Sequence, residues 1–246
     1  MPPEFAAATT TVALREIDRG WSTCPKTLRR ARVLELSGWA YYVAGRGGVL
    51  GDDTRADTVS AALGLVAPDA VRAGWEAARK VGRAAVAAAR LAECARWGDE
   101  RLGDVPRIET LVGLAERVVV AADPVGMPLF AASRAMPVPD GGTGALAALL
   151  IHLIHEYRCG AMLLAARACG LSPVETVIAG PDGEAEAVTF GWHPPFPSRV
   201  TLVRRYAYAE AIADRIVGQA YATLSADERR ELTALLGDAA DTVRPD

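Results

Sequence analysis

The sequence has almost no charge of one sign to spare: 27 Lys+Arg face 30 Asp+Glu, a formal net charge of −3. Without a basic excess there is no global field to hold a polyanion, and nucleic acid is not an expected partner. An uninterrupted apolar run of membrane length is missing too; the longest, residues 146–154, is broken by His152, so no membrane span is expected. The opening Met1-Pro2-Pro3-Glu4 has neither the basic start nor the apolar core of a secretory signal, so no export is expected. Cys24, Cys94, Cys159 and Cys169 form no C-x-x-C pair. A helical domain of this size needs no disulfide staples, and the four read as reduced thiols of a cytoplasmic protein. Period-two alternation of the kind a half-buried strand shows is nearly absent, which excludes a sheet-based fold.

What is present is helical periodicity, with apolar residues recurring at steps of three and four. The fold expected is all-α: one helical bundle over residues 1–246, divisible into a core of residues 1–170 and a segment of residues 171–246. Helices are predicted over residues 9–19, 25–36, 38–45, 55–63, 68–79, 83–97, 106–122, 128–134, 143–170, 172–179, 198–224 and 226–236. Pro106 and Pro128 sit at first turns, Gly170 follows a long apolar stripe, and Ser225 precedes Ala226-Asp227-Glu228 as an N-cap. Residues 136–142 and 181–197 read as loops. The composition, rich in Ala, Arg, Gly and Leu and poor in Lys, is of the kind found in high-GC genomes.

Four constellations invite a functional reading. Gly45-Arg46-Gly47-Gly48-Val49-Leu50-Gly51 suggests a phosphate loop, but Leu50 holds the position of the third glycine and the preceding residues read as helix, not strand. A helix end and turn fits better. Arg46 remains a fixed cation beside Trp39, Tyr41 and Tyr42, suited to an anionic group. His152, His155 and Glu156 share a helical face, but neither metalloprotease order is present and His193 is the one further histidine, so no metal site is expected. Glu109, Glu116 and Asp123 recur at steps of seven along the edge of an apolar stripe. They read either as partly buried carboxylates with raised pKa or as a solvated flank paired to Arg107 or Arg117. Lys26, Arg29, Arg30 and Arg32 read as a wet helix face. After Gly170 the seven arginines face twelve acids, a balance of −5 that disfavours DNA.

Three stretches together carry a resemblance: Gly38-Trp39-Ala40-Tyr41-Tyr42-Val43-Ala44-Gly45-Arg46, then Asp123-Pro124-Val125-Gly126-Met127-Pro128-Leu129-Phe130-Ala131-Ala132, then Glu156-Tyr157-Arg158 leading to Gly170-Leu171-Ser172. This set resembles the actinobacterial SalK-like family, often labelled helix-turn-helix proteins and frequent among natural-product biosynthesis genes. Two features depart from it. Only residues 194–204 remain for a second helix and wing after Gly191-Trp192, so the C-terminal segment reads as a shortened, degenerate winged helix. Tyr157 also stands where the family tends to carry histidine.

The layout is similar to that of aziridine-forming cyclases of azinomycin- and ficellomycin-type pathways. That resemblance implies a cofactor-independent cyclisation of a small polar substrate, free or attached to a carrier protein. Arg46 would steady the leaving anion, and Glu116 and Asp123 would be the base and its partner. Tyr42, Trp39, Glu156 and Arg158 would contact the substrate. Two other readings stand beside it: a small-molecule-responsive DNA-binding regulator, and a structural subunit with a small partner.

Overall fold

The structure, a computed structural model, describes residues 1–244; Pro245 and Asp246, at the end of the 171–246 segment, lie outside the described residues. Among the described residues there are thirteen α-helices, two short 3-10 turns and no strand. The helix that organises them is α9 (Thr143–Ala168). It packs against α6 (Arg83–Leu102), α12 (Val203–Tyr221), α7 (Ile108–Ala121), α1 (Pro3–Ser22) and α8 (Pro128–Arg134). By length and hydropathy alone α9 could cross a membrane. It is instead the central core helix, with Ala147, Ile151, Ile154, Ala161 and Ala165 buried among its neighbours.

Around it, α1 also packs on α12 and on α13 (Ala226–Val243), while α3 (Gly38–Gly47) lies between α6 and α5 (Pro68–Ala77). The remaining elements are α2 (Pro25–Val33), α4 (Ala56–Leu63), α10 (Pro173–Ala179) and α11 (Gly183–Thr189). Serine caps with reciprocal Glu bonds start α10 (Ser172 and Glu175) and α13 (Ser225 and Glu228).

Several boundaries differ from the sequence expectation, each for a physical reason. The first helix starts at Pro3, whose missing N–H costs nothing there, and buries Ala6 and Ala7. The last helix runs through Gly237 to Val243, because Leu232, Leu235, Leu236, Ala239, Ala240 and Val243 continue one buried stripe. The stretch 181–197 is not all loop: α11 occupies Gly183–Thr189, with Ala187 as its buried residue. One helix was expected over 198–224; a 3-10 turn at Arg199–Thr201 precedes α12 instead.

The glycines after Tyr42 serve close packing. A Cβ on Gly45 would overlap the Arg90 side chain, and one on Gly48 the Arg83 carbonyl. These residues bring α3 onto α6, and that contact sets the geometry of the site described below. The α6–α9 crossing uses the same device. A Cβ on Gly144 would lie 2.6 Å from the Gly98 carbonyl oxygen, and one on Gly98 at 2.6 Å from the Ala148 Cβ. Gly98→Ala should therefore force the two helices apart and cost about 1–3 kcal/mol. Urea denaturation is the measurement; a loss below about 0.5 kcal/mol would mean the crossing adapts freely.

Candidate active site

Where α1, α3, α6 and α9 meet, the interior is polar. From α9 come His152, His155, Glu156 and Cys159, which share one face at steps of three, four and seven. The α3 helix adds Tyr42 and Arg46, one turn apart; α6 adds Arg90, and α1 adds Asp18 and Trp21.

Arg46 is the centre of one half. Its Nη1 donates to the Tyr42 hydroxyl at 2.7 Å, and its Nη2 reaches both Glu156 oxygens at 2.8 and 2.9 Å. The Arg46 side chain is 13% exposed and that of Glu156 4%. Asp18 is the centre of the other half. Its Oδ1 accepts from Trp21 Nε1 at 3.0 Å and from His152 Nδ1 at 2.6 Å, and its Oδ2 lies 3.6 Å from His155 Nδ1. The Cys159 sulfur sits 3.9 and 3.8 Å from Nδ1 and Nε2 of the same His155 ring. Arg90, buried, lays its guanidinium 4.2 Å from the Trp21 ring and 5.8 Å from that of Tyr42.

Burial opposes ionisation throughout, and the neighbouring charges decide the outcome. Burial would raise the Asp18 carboxyl, but His155, His152 and Arg90 together hold it well below the usual carboxylate range. Glu156 is likewise resisted by burial and held down chiefly by Arg46. The Arg46 guanidinium, in turn, is held charged by Glu156 against its own burial. Burial pushes the Tyr42 phenol up despite Arg46. For His155, burial works against the charged form, yet the Cys159 sulfur, Asp18 and Glu156 outweigh it and the ring is pushed up to about 9.

With His155 protonated, the cations Arg46, Arg90 and His155 face the carboxylates of Asp18 and Glu156 and the Cys159 sulfur, whose negative charge helps to raise His155. Two guanidinium atoms, Arg46 Nε and Arg90 Nη1, are buried with no partner among the described residues. The nearby Arg83 differs: its guanidinium is spent on Trp75 and Asp52 carbonyls and on Glu76. Arg83 is a structural cation. Arg90 keeps a buried N–H without a partner among the described residues.

An open cleft of about 360 Å³, lined in part by Gly64, Val66, Leu163, Thr176 and Trp192, contains none of the cluster's side chains. Leu163 lies one turn beyond Cys159 on α9, about 6 Å along the axis. Tyr42 is stacked between Trp39 and Phe190, with ring centroids 5.5 and 6.4 Å apart.

Of the residues singled out in the sequence, Arg46, Tyr42, Trp39 and Glu156 are brought together here. Arg158 is buried but turns toward α12, where it pairs with Asp214 at 2.7 Å. Glu116 and Asp123 lie on the exposed side of α7 and just after it, and the Asp123 carboxylate caps the Val125 N–H. Arg107 and Arg117 pair with Glu231 and Glu228 of α13 rather than with that row. Asp18, Arg90 and Cys159 were not singled out. Asp18 falls in the buried stripe of Leu14, Ile17 and Trp21, and Arg90 in that of Val86, Ala87, Leu91 and Cys94. A charge at a core position of the periodic pattern was the available signal.

A helix-turn-helix family model matches residues 8–196, more than half of the chain. The chain belongs to this helix-turn-helix family. The match holds every residue of the polar cluster and ends before α12 and α13. No curated protein and no solved structure is detectably similar to the chain. Within the family's span, α10 and α11 are two short consecutive helices joined by a three-residue connection. The second of them, Gly183-Glu184-Ala185-Glu186-Ala187-Val188-Thr189, carries two carboxylates and no cation. Such a face repels phosphate.

Proposed function

We propose that the protein is a cytoplasmic biosynthetic enzyme that closes a ring in a small polar substrate without redox chemistry. In its specific form the reaction is aziridine formation, in which an amine displaces a sulfate-type ester on the adjacent carbon. The observation that carries the reading is the buried ionic cluster with its two unpartnered guanidinium N–H groups, on Arg46 and Arg90. Such a group of charges is costly to bury, and it suits an anion better than it suits stability.

Arg46 and Arg90 attract the sulfate as the C–O bond breaks and the oxygen leaves with the bonding pair. The substrate nitrogen forms the new C–N bond and gives up a proton. Within the cluster the base is neutral His155, since Glu156 is engaged by Arg46 and the Glu116 and Asp123 carboxylates face solvent. Tyr42, fixed by Arg46 and stacked between Trp39 and Phe190, borders the substrate.

The test uses 2-aminoethyl hydrogen sulfate as a minimal probe and measures sulfate release. Release should accelerate as pH rises through about 9, where His155 becomes neutral. It should fall about 10²-fold or more in Arg46→Ala, and stay within about twofold in Glu116→Gln and Asp123→Asn. Release no faster than in buffer would sink the aziridine form, and full activity in Arg46→Ala would remove Arg46 from the site.

Family membership supports a second reading, a DNA-binding regulator that responds to a small molecule. Gel-shift with upstream DNA at moderate salt separates the two: specific nanomolar binding would make regulation the main role. The acidic α11 and the net charge of −3 count against it.

A further inference from the structure

We propose that Cys159 is a nucleophile that takes up an acyl group from a thioester or reactive ester, with His155 as its proton partner and Asp18 as the group that orients His155. This chemistry goes beyond ring closure and stands or falls without it.

The three side chains form a chain of contacts across two helices. Cys159 lies one turn after His155 on α9, with its sulfur within 3.9 Å of both ring nitrogens. Asp18, from α1, lies 3.6 Å from Nδ1 of that ring. Asp18 is itself held by two shorter bonds, from Trp21 and His152, so its position does not depend on His155. A thiol, an imidazole and a carboxylate in that order is what an activated sulfur nucleophile requires. His155, with a pKa raised to about 9, is basic enough to compete with a thiol for its proton.

The other cysteines lack this setting. Cys94 is fully buried and its thiol is pushed well up by burial. Cys24 caps α2, where its sulfur accepts from the Thr27 N–H. Cys169 ends α9 with no titratable partner among its hydrogen bonds. Cys159 and His155 are only half-buried, and the open cleft reaches Leu163, one turn further along α9.

The step balances simply. His155 takes the thiol proton, and the sulfur attacks the acyl carbon, forming a C–S bond. The bond to the leaving thiol or alcohol then breaks, and the leaving group carries off the electron pair and receives the proton from His155. No oxidant or metal is needed. Arg46, on which the Cys159 sulfur acts electrostatically, has a buried Nε–H without a partner, which in this step donates to the carbonyl oxygen as that oxygen gains charge. An amine that attacks the S-acyl group afterwards restores the thiol.

The experiment treats the full chain with p-nitrophenyl acetate, following p-nitrophenolate release and locating the acetyl group by mass spectrometry. A burst of about one equivalent is expected, with the acetyl on the tryptic peptide of residues 159–167. Cys159→Ser should abolish the burst, and Cys24→Ser should retain it. His155→Gln should slow acylation by about 10²-fold or more, and Asp18→Asn should slow it too, with helicity by circular dichroism as the check on folding. Acetyl found only on Cys24, Cys169 or lysine would overturn the proposal, and so would the absence of a burst. Acylation of Cys159 at an unchanged rate in folded His155→Gln would overturn it as well, since that describes a merely accessible thiol.

Discussion

Glu156→Gln should destabilise the fold by about 3–5 kcal/mol, one of the two largest effects expected from the polar cluster. The substitution keeps the shape of the side chain and removes its charge, which leaves Arg46 buried at 13% exposure with a cation and no counter-ion. Breaking one side of a buried pair costs more than the pair contributes, because the survivor keeps its desolvation penalty without its attraction. Removing both charges is the informative contrast. Arg46→Met with Glu156→Leu should recover most of the loss, since two apolar side chains of similar volume suit that interior. Urea denaturation of Arg46→Met, Glu156→Leu and the double variant closes the cycle, with Glu156→Gln measured beside them. A Glu156→Gln loss under about 1 kcal/mol would show that the Arg46 charge reaches water, and the anion-binding role would then lose its basis.

Stability should peak in mildly acidic solution, and about 3 kcal/mol of it should disappear as the pH is raised from about 6.5 through 9. The sign follows from the direction of each perturbation. Asp18 and Glu156 have depressed carboxyls. Their contributions are complete above the ordinary carboxylate range, near pH 4, and are lost as pH falls through their lower folded values. His155 is raised from an ordinary value near 6.5 to about 9. Its contribution is complete below about 6.5 and is lost as pH climbs through 9. The window where all three are at full strength is therefore about pH 4.5–6.5. At about 1.36 kcal/mol for each tenfold step, the His155 rise is worth about 3 kcal/mol. Melting temperature against pH is the measurement, with Asp18→Asn and His155→Gln as variants whose alkaline limb should flatten. A wild-type curve that is flat between pH 7 and 10 would mean that His155 is not charged in the folded protein.

The fold class was legible because the three-and-four spacing of apolar residues is a local signal. It located α8 to the residue, and the Ser225 cap marked the start of α13. Signals that rely on punctuation misled: Pro181 and Gly183 concealed α11, and Gly237 suggested an end where α13 continues. The site was half legible. Tyr42 and Arg46 are neighbours because they are one helical turn apart, which sequence spacing reveals. Glu156 is 110 residues from Arg46, and only the packing of α3 and α9 around α6 brings the two together. The step of seven aligned Glu109 with Glu116, but α7 ends at Ala121 before Asp123, and alignment does not say which way a row faces. That row faces solvent, while Ile108, Leu111, Ala115 and Val118 face the core.

The placement of Trp21 has an optical consequence. Arg90 puts a positive charge over the indole, and the Asp18 carboxylate sits at its pyrrole N–H. Excitation of indole shifts electron density from the pyrrole ring toward the benzene ring. The carboxylate at the pyrrole N–H, beside the ring that loses electron density, sets a field that lowers the excited state. Trp21 is 1% exposed, and a shielded indole would ordinarily emit toward the blue. The field makes it emit to the red of that.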